Sequence, residues 1–300
     1  MPSNTKLVMR SFGLLIALAL SMPSTFGHAS WGENRKHEKS QPQNVLLVIL
    51  DDIGVDKIAA YGEHPKPAKT PTIDALASRG VLFRTAWANT FCSPTRATLM
   101  TGRYGFRTGI GHVVDLFSLN HGLSIDEFGL PEAMAQATGQ RSAILGKWHL
   151  GGNSEGINHP LQFGFEVFAG SRGNLGPPSM PESYYQWDKV TEGVSGPSTV
   201  YATTDTVNDA LRLTRAWASE PWFLVLSFNS AHKPYHSPPP ALHSETLVGD
   251  PLDSPIAHHR AMVESMDSEL GRLLAGLGSC LLYTSPSPRD RTRSRMPSSA

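Results

Sequence analysis

Two short, almost entirely apolar runs most strongly constrain what this chain can fold into. Residues 44–50 read Asn-Val-Leu-Leu-Val-Ile-Leu, and residues 221–228 read Pro-Trp-Phe-Leu-Val-Leu-Ser-Phe. Runs of this length without polar alternation are typical of strands buried on both faces of a parallel sheet. Because helical patterns lie between and after these runs, the sequence predicts an α/β fold with a central, mostly parallel sheet flanked by helices.

Charge and cysteine content exclude several other classes of protein. The chain has 300 residues, and its 26 basic residues balance 26 acidic residues. This composition gives no indication of a nucleic-acid partner or of a wholly disordered chain. Cys92 and Cys280 are its two cysteines, which is too few and too far apart for a disulfide framework.

The first 43 residues are predicted to precede the folded domain. A positively charged start leads into an apolar run over residues 12–20, and a small-x-small cleavage site ends at Ala29. The run is too short to cross a bilayer, so residues 1–29 are interpreted as a secretory signal peptide and residues 30–43 as a flexible lead-in. An N-terminal membrane anchor is the alternative. Otherwise no stable membrane insertion is expected, and the protein is predicted to be secreted, lysosomal or periplasmic.

Capping residues and periodicity predict the remaining elements. Helices are predicted over residues 69–80, 130–137, 203–219 and 254–278, and further strands over residues 81–88 and 140–145. Methionine and leucine residues form an apolar stripe on the last helix, which indicates a core face. Residues 171–198 are rich in Gly, Pro and Ser and predict a long surface loop. Its aromatic residues Tyr184, Tyr185 and Trp187 could stack on a sugar ring or pack within the loop.

An acidic pair, Asp51-Asp52, directly follows the first apolar run. Ligand sites in open α/β sheets lie at the carboxyl ends of strands, and adjacent carboxylates there repel each other unless a positive group neutralises them. Hard oxygen ligands of this kind suit Ca²⁺ or Mg²⁺. The alternative is a solvated acidic pair that only forms a turn.

The segment 91–104, Phe-Cys-Ser-Pro-Thr-Arg-Ala-Thr-Leu-Met-Thr-Gly-Arg-Tyr, places a lone thiol directly before a predicted helix. Ser93 is a suitable cap, and a proline in the first turn and a glycine after the last turn complete the pattern. Arg96 lies one turn beyond Cys92 on the same side. The free N–H groups of the helix start then favour an anion beside Cys92. A buried structural cysteine is the alternative.

Two further polar segments point toward the same region. In Gly146-Lys-Trp-His-Leu-Gly, Lys147 and His149 lie two residues apart, so they project to one side while Trp148 packs on the other. A cation beside an imidazole suits the oxygens of a bound anion. His232 follows the second apolar run, again at a strand end. A zinc pair of His232 and His236 would require a helix, which Pro234 disfavours.

These segments resemble the two signatures of the sulfatase family. The first is Cys92-x-Pro-Thr-Arg96 followed by Thr101-Gly-Arg103, and the second is the segment 146–151. The resemblance implies an alkaline-phosphatase-like sandwich and hydrolysis of aryl or carbohydrate sulfate esters. It also implies that a formylglycine-generating maturation enzyme oxidises Cys92 to formylglycine, whose hydrate is the nucleophile.

The same resemblance assigns roles to single residues. Asp51, Asp52 and the modified Cys92 are implied to bind a divalent metal, usually Ca²⁺, with Mg²⁺ possible. Arg96 and Lys147 are implied to carry the charge of the sulfate oxygens, His149 to position the hydrate and help expel sulfate, and His232 to assist the departing alcohol. Two other residues are expected outside this set. Arg103 is expected to brace the Cys92 region, and His112 to be a surface loop residue.

The pattern departs from the family after Gly278. Residues 279–300 contain Ser-Pro repeats and four closely spaced arginines with almost no apolar periodicity. The family's Asp-Asn pair and further lysine have no counterpart there, since no Asn follows Asn229 and no Lys follows Lys233. We therefore expect residues 44–278 to be a partial N-terminal catalytic domain, incomplete at its C-terminus. The tail is either foreign sequence from a cloning junction or a natural basic tail for an acidic partner.

Two functional alternatives stay open at this stage. One is a phosphate or phosphonate ester hydrolase on the same scaffold, and the other is an inactive anion-binding fragment. A hydrolase that uses the bare Cys92 thiol is a more distant alternative. The sulfatase interpretation predicts that the residues named above surround a single site, which the folded chain must show.

Overall fold

A computed structural model describes residues 44–115, 121–177 and 179–278 of the chain. The predicted signal peptide (1–29), lead-in (30–43) and tail (279–300) lie outside the described residues, so these three expectations stay predictions. In the described part of the chain, no helix combines the length and the apolar character that a membrane span requires.

Six strands form one mixed sheet in the order β1-β6-β2-β3-β4-β5. The strands are β1 (Val45–Ile49), β2 (Arg141–Gly146), β3 (Val167–Gly170), β4 (Trp187–Thr191), β5 (Val194–Ser198) and β6 (Trp222–Ser227). β1, β6, β2 and β3 run parallel, whereas β4 and β5 are antiparallel to their neighbours. The predicted mostly parallel central sheet is therefore confirmed, and so are the strand predictions over residues 140–145 and 221–228.

Helices cover both faces of the sheet. They are α1 (Pro71–Arg79), α2 (Cys92–Thr101), α3 (Gly105–Thr108), α4 (Leu130–Thr138), α5 (His159–Gln162), α6 (Ala202–Ala216) and α7 (Pro255–Leu277). Side chains alternate between two cores along β6, because successive residues of a strand point to opposite faces. Leu224 and Leu226 pack in the core with α6 and α7, while Phe223 and Val225 pack in the core with α2 and α4.

The helix predictions over 69–80, 130–137, 203–219 and 254–278 correspond to α1, α4, α6 and α7. The stripe on α7 is confirmed as core, since Met262, Met266 and Leu270 are buried there. Short 3-10 turns at Val55–Lys57, Ala59–Tyr61, Pro181–Tyr184 and Pro240–Leu242 complete the regular structure.

Two expectations about strands are wrong. β1 is not buried on both faces: it is the edge strand among the described residues, and Val45 is 37% exposed. Residues 81–88 form no strand, and Val81, Phe83 and Trp87 are exposed. Among the described residues, β1 pairs with β6 on one side and with no strand on the other, whereas residues 81–88 pair with no strand at all.

Residues 171–198 do not form one long loop as predicted, since their second half is the β4–β5 hairpin that extends the sheet. Glu192 (φ 49°) and Gly193 (φ 82°) connect its strands with two left-handed residues. Two successive positive φ values are typical of the turn that matches the twist of a hairpin. The aromatic and β-branched residues Trp187, Val190 and Thr191 before this Glu-Gly pair are the strand signal that the composition of the segment obscures.

Strand register decides where polar residues converge. Ile49 of β1 and Gly146 of β2 both pair with Ser227 of β6. Three parallel strands therefore end level with one another, and the chain segments that follow them begin at the same edge of the sheet.

Candidate active site

Five buried polar residues meet at this edge, and we call them the strand-end cluster: Asp51, Arg96, Lys147, His149 and Ser227. Asp51 follows β1, Lys147 and His149 follow β2, and Ser227 ends β6. Arg96 reaches the edge from α2. The cluster thus joins residues that are up to 176 positions apart, because the parallel strands end together.

Asp51 is the only carboxylate of the cluster, and two cations surround it. The Lys147 ammonium donates to Asp51 Oδ2, and Arg96 Nη2 lies 3.5 Å from the same oxygen. Burial alone would raise the pKa of Asp51, but the charges of Lys147 and Arg96 outweigh burial and lower the pKa below its ordinary 3.8. Asp51 is therefore ionised at neutral pH.

The Arg96 guanidinium is held by two further acceptors. Arg96 Nη1 donates to the Lys147 carbonyl oxygen at 2.7 Å and to Ser227 Oγ at 2.6 Å. Ser227 Oγ in turn donates to the Lys147 carbonyl at 2.7 Å. The sequence alone does not indicate a role for Ser227, because it lies within an apolar strand and only the strand register places it beside Arg96 and Lys147.

Cys92 and His149 are in direct contact. Cys92 is the first residue of α2, and its Sγ lies 3.1 Å from His149 Nδ1. Burial lowers the pKa of His149 to about 3, and the Lys147 and Arg96 charges act in the same direction. The imidazole is therefore neutral at pH 7, and it can donate from one nitrogen while it accepts at the other.

The start of α2 differs from the predicted cap. Ser93 does not cap the helix; its Oγ accepts a hydrogen bond from the Val114 N–H at 3.0 Å instead. Phe91 occupies the N-cap position and has no side-chain bond there. Gly102 ends the helix as predicted, with φ 66°. Pro94 has no N–H and the Thr95 N–H donates to the Phe91 carbonyl oxygen at 3.2 Å, so the N–H groups of Cys92 and Ser93 are those of this turn that lack an intrahelical acceptor.

Trp148 confirms the expectation that its side chain opposes those of Lys147 and His149. It is 2% exposed and packs against Phe163 and Phe165 in the core. Its Nε1 donates to His159 Nδ1 at 2.9 Å. This packing fixes the segment on the apolar side and so holds its neighbours on the polar side.

Asp52 and His232 form the open side of the site. Asp52 Oδ2 lies 3.6 Å from His232 Nε2, and the two side chains are 59% and 21% exposed. Asp52 has φ 56°, a left-handed conformation that Asp tolerates better than most residues. The chain turns there, so the side chain of Asp52 is solvated whereas that of Asp51 is buried.

His236 belongs to a separate contact. It is buried, its ring stacks on Tyr184 at 3.9 Å between centroids, and its Nε2 lies 3.0 Å from Tyr201 Oη. Tyr184 Oη lies 2.8 Å from the carbonyl oxygens of both Asn229 and His232. These contacts argue against a zinc pair, and they show that Tyr184 packs within the protein rather than presenting a face to a ligand.

The described residues do not complete a metal site. Asp51 and Asp52 are oxygen donors of the kind that Ca²⁺ and Mg²⁺ prefer, but Ca²⁺ requires about six to eight ligands. Among the residues that the structure describes, no group of three or more His, Cys, Asp or Glu side chains could hold a metal. The Lys147 ammonium instead neutralises the Asp51 carboxylate.

Arg103 and His112 lie outside the cluster. The Arg103 guanidinium donates to the Glu127 carboxylate on the exposed surface, so the expectation that Arg103 braces Cys92 is wrong. The sequence could not show the partner, which is 24 positions away. His112 is exposed, as expected, and its ring lies 4.5 Å from that of Phe91.

A cavity of about 1080 Å³ opens beside the cluster. His149 is the residue of the cluster that lines the cavity, and Arg172 and Asn174, from the segment after β3, line it as well. Gln186 and Trp187 form the wall on the side of the β4–β5 hairpin. The site therefore combines a buried cationic cluster with space for a larger bound molecule.

Comparison with known proteins supports a family assignment. The family model for Sulfatase matches residues 43–282. N-acetylgalactosamine-6-sulfatase from Sus scrofa is 31% identical over 262 residues, which cover 78% of this chain and 46% of that protein. The chain thus spans about half the length of the curated relatives it matches.

Solved structures show the same fold. That of Ps i-CgsB aligns with a TM-score of 0.66 and 25% identity over 80% of this chain and 56% of that chain. The phosphonate monoester hydrolase of Agrobacterium radiobacter aligns with a TM-score of 0.53 and 21% identity over 80% of this chain and 60% of that chain. The second likeness concerns the fold alone. The sheet confirms the alkaline-phosphatase-like expectation, and the match to the family model covers most of the chain: this protein is a member of the sulfatase family.

Proposed function

We propose that the protein hydrolyses sulfate esters, aryl or carbohydrate, through a formylglycine made from Cys92. One observation carries the proposal: Cys92 Sγ lies 3.1 Å from a neutral His149, beside a buried cluster whose two cations face one carboxylate. The cluster therefore has one positive charge in excess. A singly charged sulfate ester would compensate this charge without having to be protonated.

The residues around position 92 fit the modification. Cys92 forms no disulfide and is only half-buried at the first turn of α2, so its side chain is open to chemistry. Formylglycine supplies, as its hydrate, a hydroxyl group that can attack sulfur. A formylglycine-generating maturation enzyme would oxidise the Cys92 thiol to the aldehyde.

The other residues would bind the ester and move protons. Arg96 and Lys147 donate to sulfate oxygens and stabilise the charge that develops on them. His149, neutral and in contact with position 92, orients the hydroxyl group and accepts a proton when sulfate is expelled. His232, on the open side, donates a proton to the departing alcohol oxygen.

A divalent cation, Ca²⁺ or alternatively Mg²⁺, is proposed to bind Asp51, Asp52 and the modified side chain at position 92. The cation would supply Lewis-acid polarisation of a sulfate oxygen. Water or groups outside the described residues would complete its shell. Calcium titration monitored by calorimetry tests this part, with Asp52→Asn expected to weaken binding.

Two other functions compete with this proposal. A phosphate or phosphonate ester is the second candidate, since an excess of cations binds either anion. An anion-binding chain without turnover is the third candidate, because the described residues hold no complete metal site. Under this third candidate, we expect very weak or no turnover from residues 30–300 alone.

The test uses the full chain co-expressed with a formylglycine-generating enzyme. Peptide mass spectrometry at Cys92 should detect the aldehyde, and Cys280→Ala should leave the yield unchanged whereas Cys92→Ala abolishes it. Aryl sulfate and aryl phosphate are then compared, with and without Ca²⁺. An unmodified thiol would contradict the formylglycine, and preferential phosphate hydrolysis would favour the second candidate.

Sequencing the N-terminus of the exported protein tests the predicted cleavage after about Ala29.

A further inference from the structure

The cavity beside the strand-end cluster is larger than the ester group alone requires. Its volume of about 1080 Å³ slightly exceeds the roughly 300–1,000 Å³ of pockets that bind drug-sized ligands. His149 stands where the cavity meets the cluster, so a substrate whose sulfate reaches the cluster would place its alcohol portion in this space. The cavity therefore bears on which sulfate esters can bind.

Arg172 is the cavity cation that has no structural counter-ion. The backbone of Arg172 is fixed beside the site, because the His149 N–H donates to the Arg172 carbonyl oxygen at 2.9 Å. Its Nη2 donates to the Gly152 carbonyl at 2.7 Å, and its Nε is buried without a hydrogen-bond partner. Across the described part of the chain, Arg172 forms no ion pair with a carboxylate, unlike Arg96 or Arg141.

The arrangement is costly unless a ligand uses it. A guanidinium with a buried, unpaired N–H loses hydration without compensation. Its one hydrogen bond, to Gly152, directs the planar group but does not neutralise its charge. A carboxylate or sulfate oxygen would do both, since Arg pairs with such groups through charge-assisted and often bidentate hydrogen bonds.

The carboxylates that line the cavity repel an anionic ligand only weakly. Asp115 and Asp188 line the cavity but are exposed. Water and salt screen exposed charges more strongly than partly buried ones. His112 is likewise exposed, and its ring is tilted by 50° against that of Phe91. Arg172 is thus the charged group of the cavity that is both partly buried and unpaired.

We propose that this cavity takes a carbohydrate sulfate that carries a second anionic group, a carboxylate or another sulfate, and that Arg172 binds this group. The inference rests on the proposed function, because it assumes that the scissile sulfate occupies the strand-end cluster. It makes Arg172 a specificity-determining residue. An aryl sulfate would bind through the cluster alone and leave Arg172 unused.

Calorimetry on the full chain tests this with three disaccharide probes at fixed ionic strength. One probe carries a single sulfate ester, the second adds a uronate carboxylate, and the third adds a second sulfate. We expect each doubly charged probe to bind the wild-type chain about tenfold more tightly than the singly charged one, the scale of one charge-assisted hydrogen bond. The two doubly charged probes distinguish carboxylate from sulfate as the preferred group.

Variants then assign the gain to one side chain. Arg172→Gln should abolish the tenfold difference and leave the affinity for the singly charged probe unchanged, while Arg172→Lys should retain part of it. Arg212→Gln, an exposed arginine on α6 that does not line the cavity, should retain all of it. Since the readout is a ratio of affinities within one variant, general loss of stability does not imitate the result.

The outcomes separate the two proposals. Binding of the singly charged probe with no gain from a second anion overturns the Arg172 inference and leaves the sulfate site intact. A gain that persists in Arg172→Gln also overturns it. If none of the probes binds the wild-type chain, both the sulfate site and the Arg172 inference are rejected. Should Arg172→Gln fail to fold, the wild-type ratio and Arg172→Lys decide the question.

Discussion

Buried carboxylates are stabilised in opposite ways in two regions of this protein. In the strand-end cluster, Asp51 is neutralised by the side chains of Lys147 and Arg96. On α7, Glu264 and Asp267 are equally buried, but backbone N–H groups stabilise them. The two Asp267 oxygens accept from the N–H groups of Thr72 and Ile73 at 2.9 and 2.8 Å. Glu264 accepts from Ser244 and Lys69.

The type of partner, side-chain cation or backbone N–H, determines whether the group around the carboxylate can also bind a ligand. Backbone N–H groups at the start of α1 are fixed by the helix, so Asp267 can only hold that helix in place. The ammonium and guanidinium of the cluster have further donors and full charges, which a bound anion can share. In these two regions, the carboxylate that lies between side-chain cations belongs to the candidate binding site, whereas the one that accepts from backbone amides joins two helices.

The largest expected effect comes from removing the charge that balances the cluster. Asp51→Asn keeps the shape but leaves two buried cations without a carboxylate, so we expect a loss of about 3–5 kcal/mol in the free energy of unfolding. Asp52→Asn is the matched control, because that side chain is 59% exposed, and it should change stability by about 0.5 kcal/mol or less. Urea unfolding at pH 7 measures both. Equal losses in the two variants would contradict the contrast between these neighbours.

On α7 the corresponding loss should be smaller. Asp267→Ala removes both acceptors of the Thr72 and Ile73 N–H groups, so we expect the free energy of unfolding to fall by about 2 kcal/mol, the upper range for a lost helix cap. Asp267→Asn retains one acceptor oxygen and should lose about half as much. Thermal unfolding monitored by circular dichroism compares the two. A loss from Asp267→Ala as large as that from Asp51→Asn would show that amides and cations stabilise alike.

Sequence reasoning located the strand-end cluster because its signals are local. The apolar runs predict buried strands, and polar residues directly after parallel strands must meet at one edge. Asp51, Lys147 and His149 do meet there, together with Arg96 from α2. The roles of these residues, and of His232 beside them, stay proposals.

The errors have non-local causes. Ser93 does not cap α2, because the Val114 N–H, 21 positions away, binds its hydroxyl group. Arg103 is directed away from Cys92 by Glu127. Nothing near Ser227 or Arg172 in the sequence indicates a role, since strand register and the packing of two loops position them. The β4–β5 hairpin was missed for another reason: its glycine and serine content outweighed its Glu-Gly turn.

Glu264 provides a pH test of amide stabilisation. Burial would raise the pKa of Glu264, but hydrogen bonds from Ser244 and Lys69 outweigh it and lower the pKa below the ordinary 4.5. The ionised group therefore stabilises the folded state fully above pH 4.5, and this contribution is lost as the pH falls through the lowered pKa. Glu264→Gln should cost about 1 kcal/mol at pH 7 and progressively less below pH 4.5. Urea midpoints across this range, with the exposed Glu182→Gln as control, should show that trend; a cost that grows toward low pH would reverse the sign assigned here.

The smallest effect is expected for the ion pair between the half-exposed Arg103 and Glu127, which lies outside the cluster. Arg103 is 47% exposed, so its pair with Glu127 lacks the burial that makes the cluster sensitive to charge. Arg103→Gln should reduce the free energy of unfolding by less than about 1 kcal/mol, and less still at high salt. Because Arg103 contacts no residue of the cluster, sulfate binding measured by calorimetry should be unchanged. A weakened sulfate affinity in this variant would show that Arg103 supports the Cys92 region after all. It would also show that a half-exposed cation of this protein can contribute to anion binding as the buried cations Arg96 and Lys147 are proposed to do.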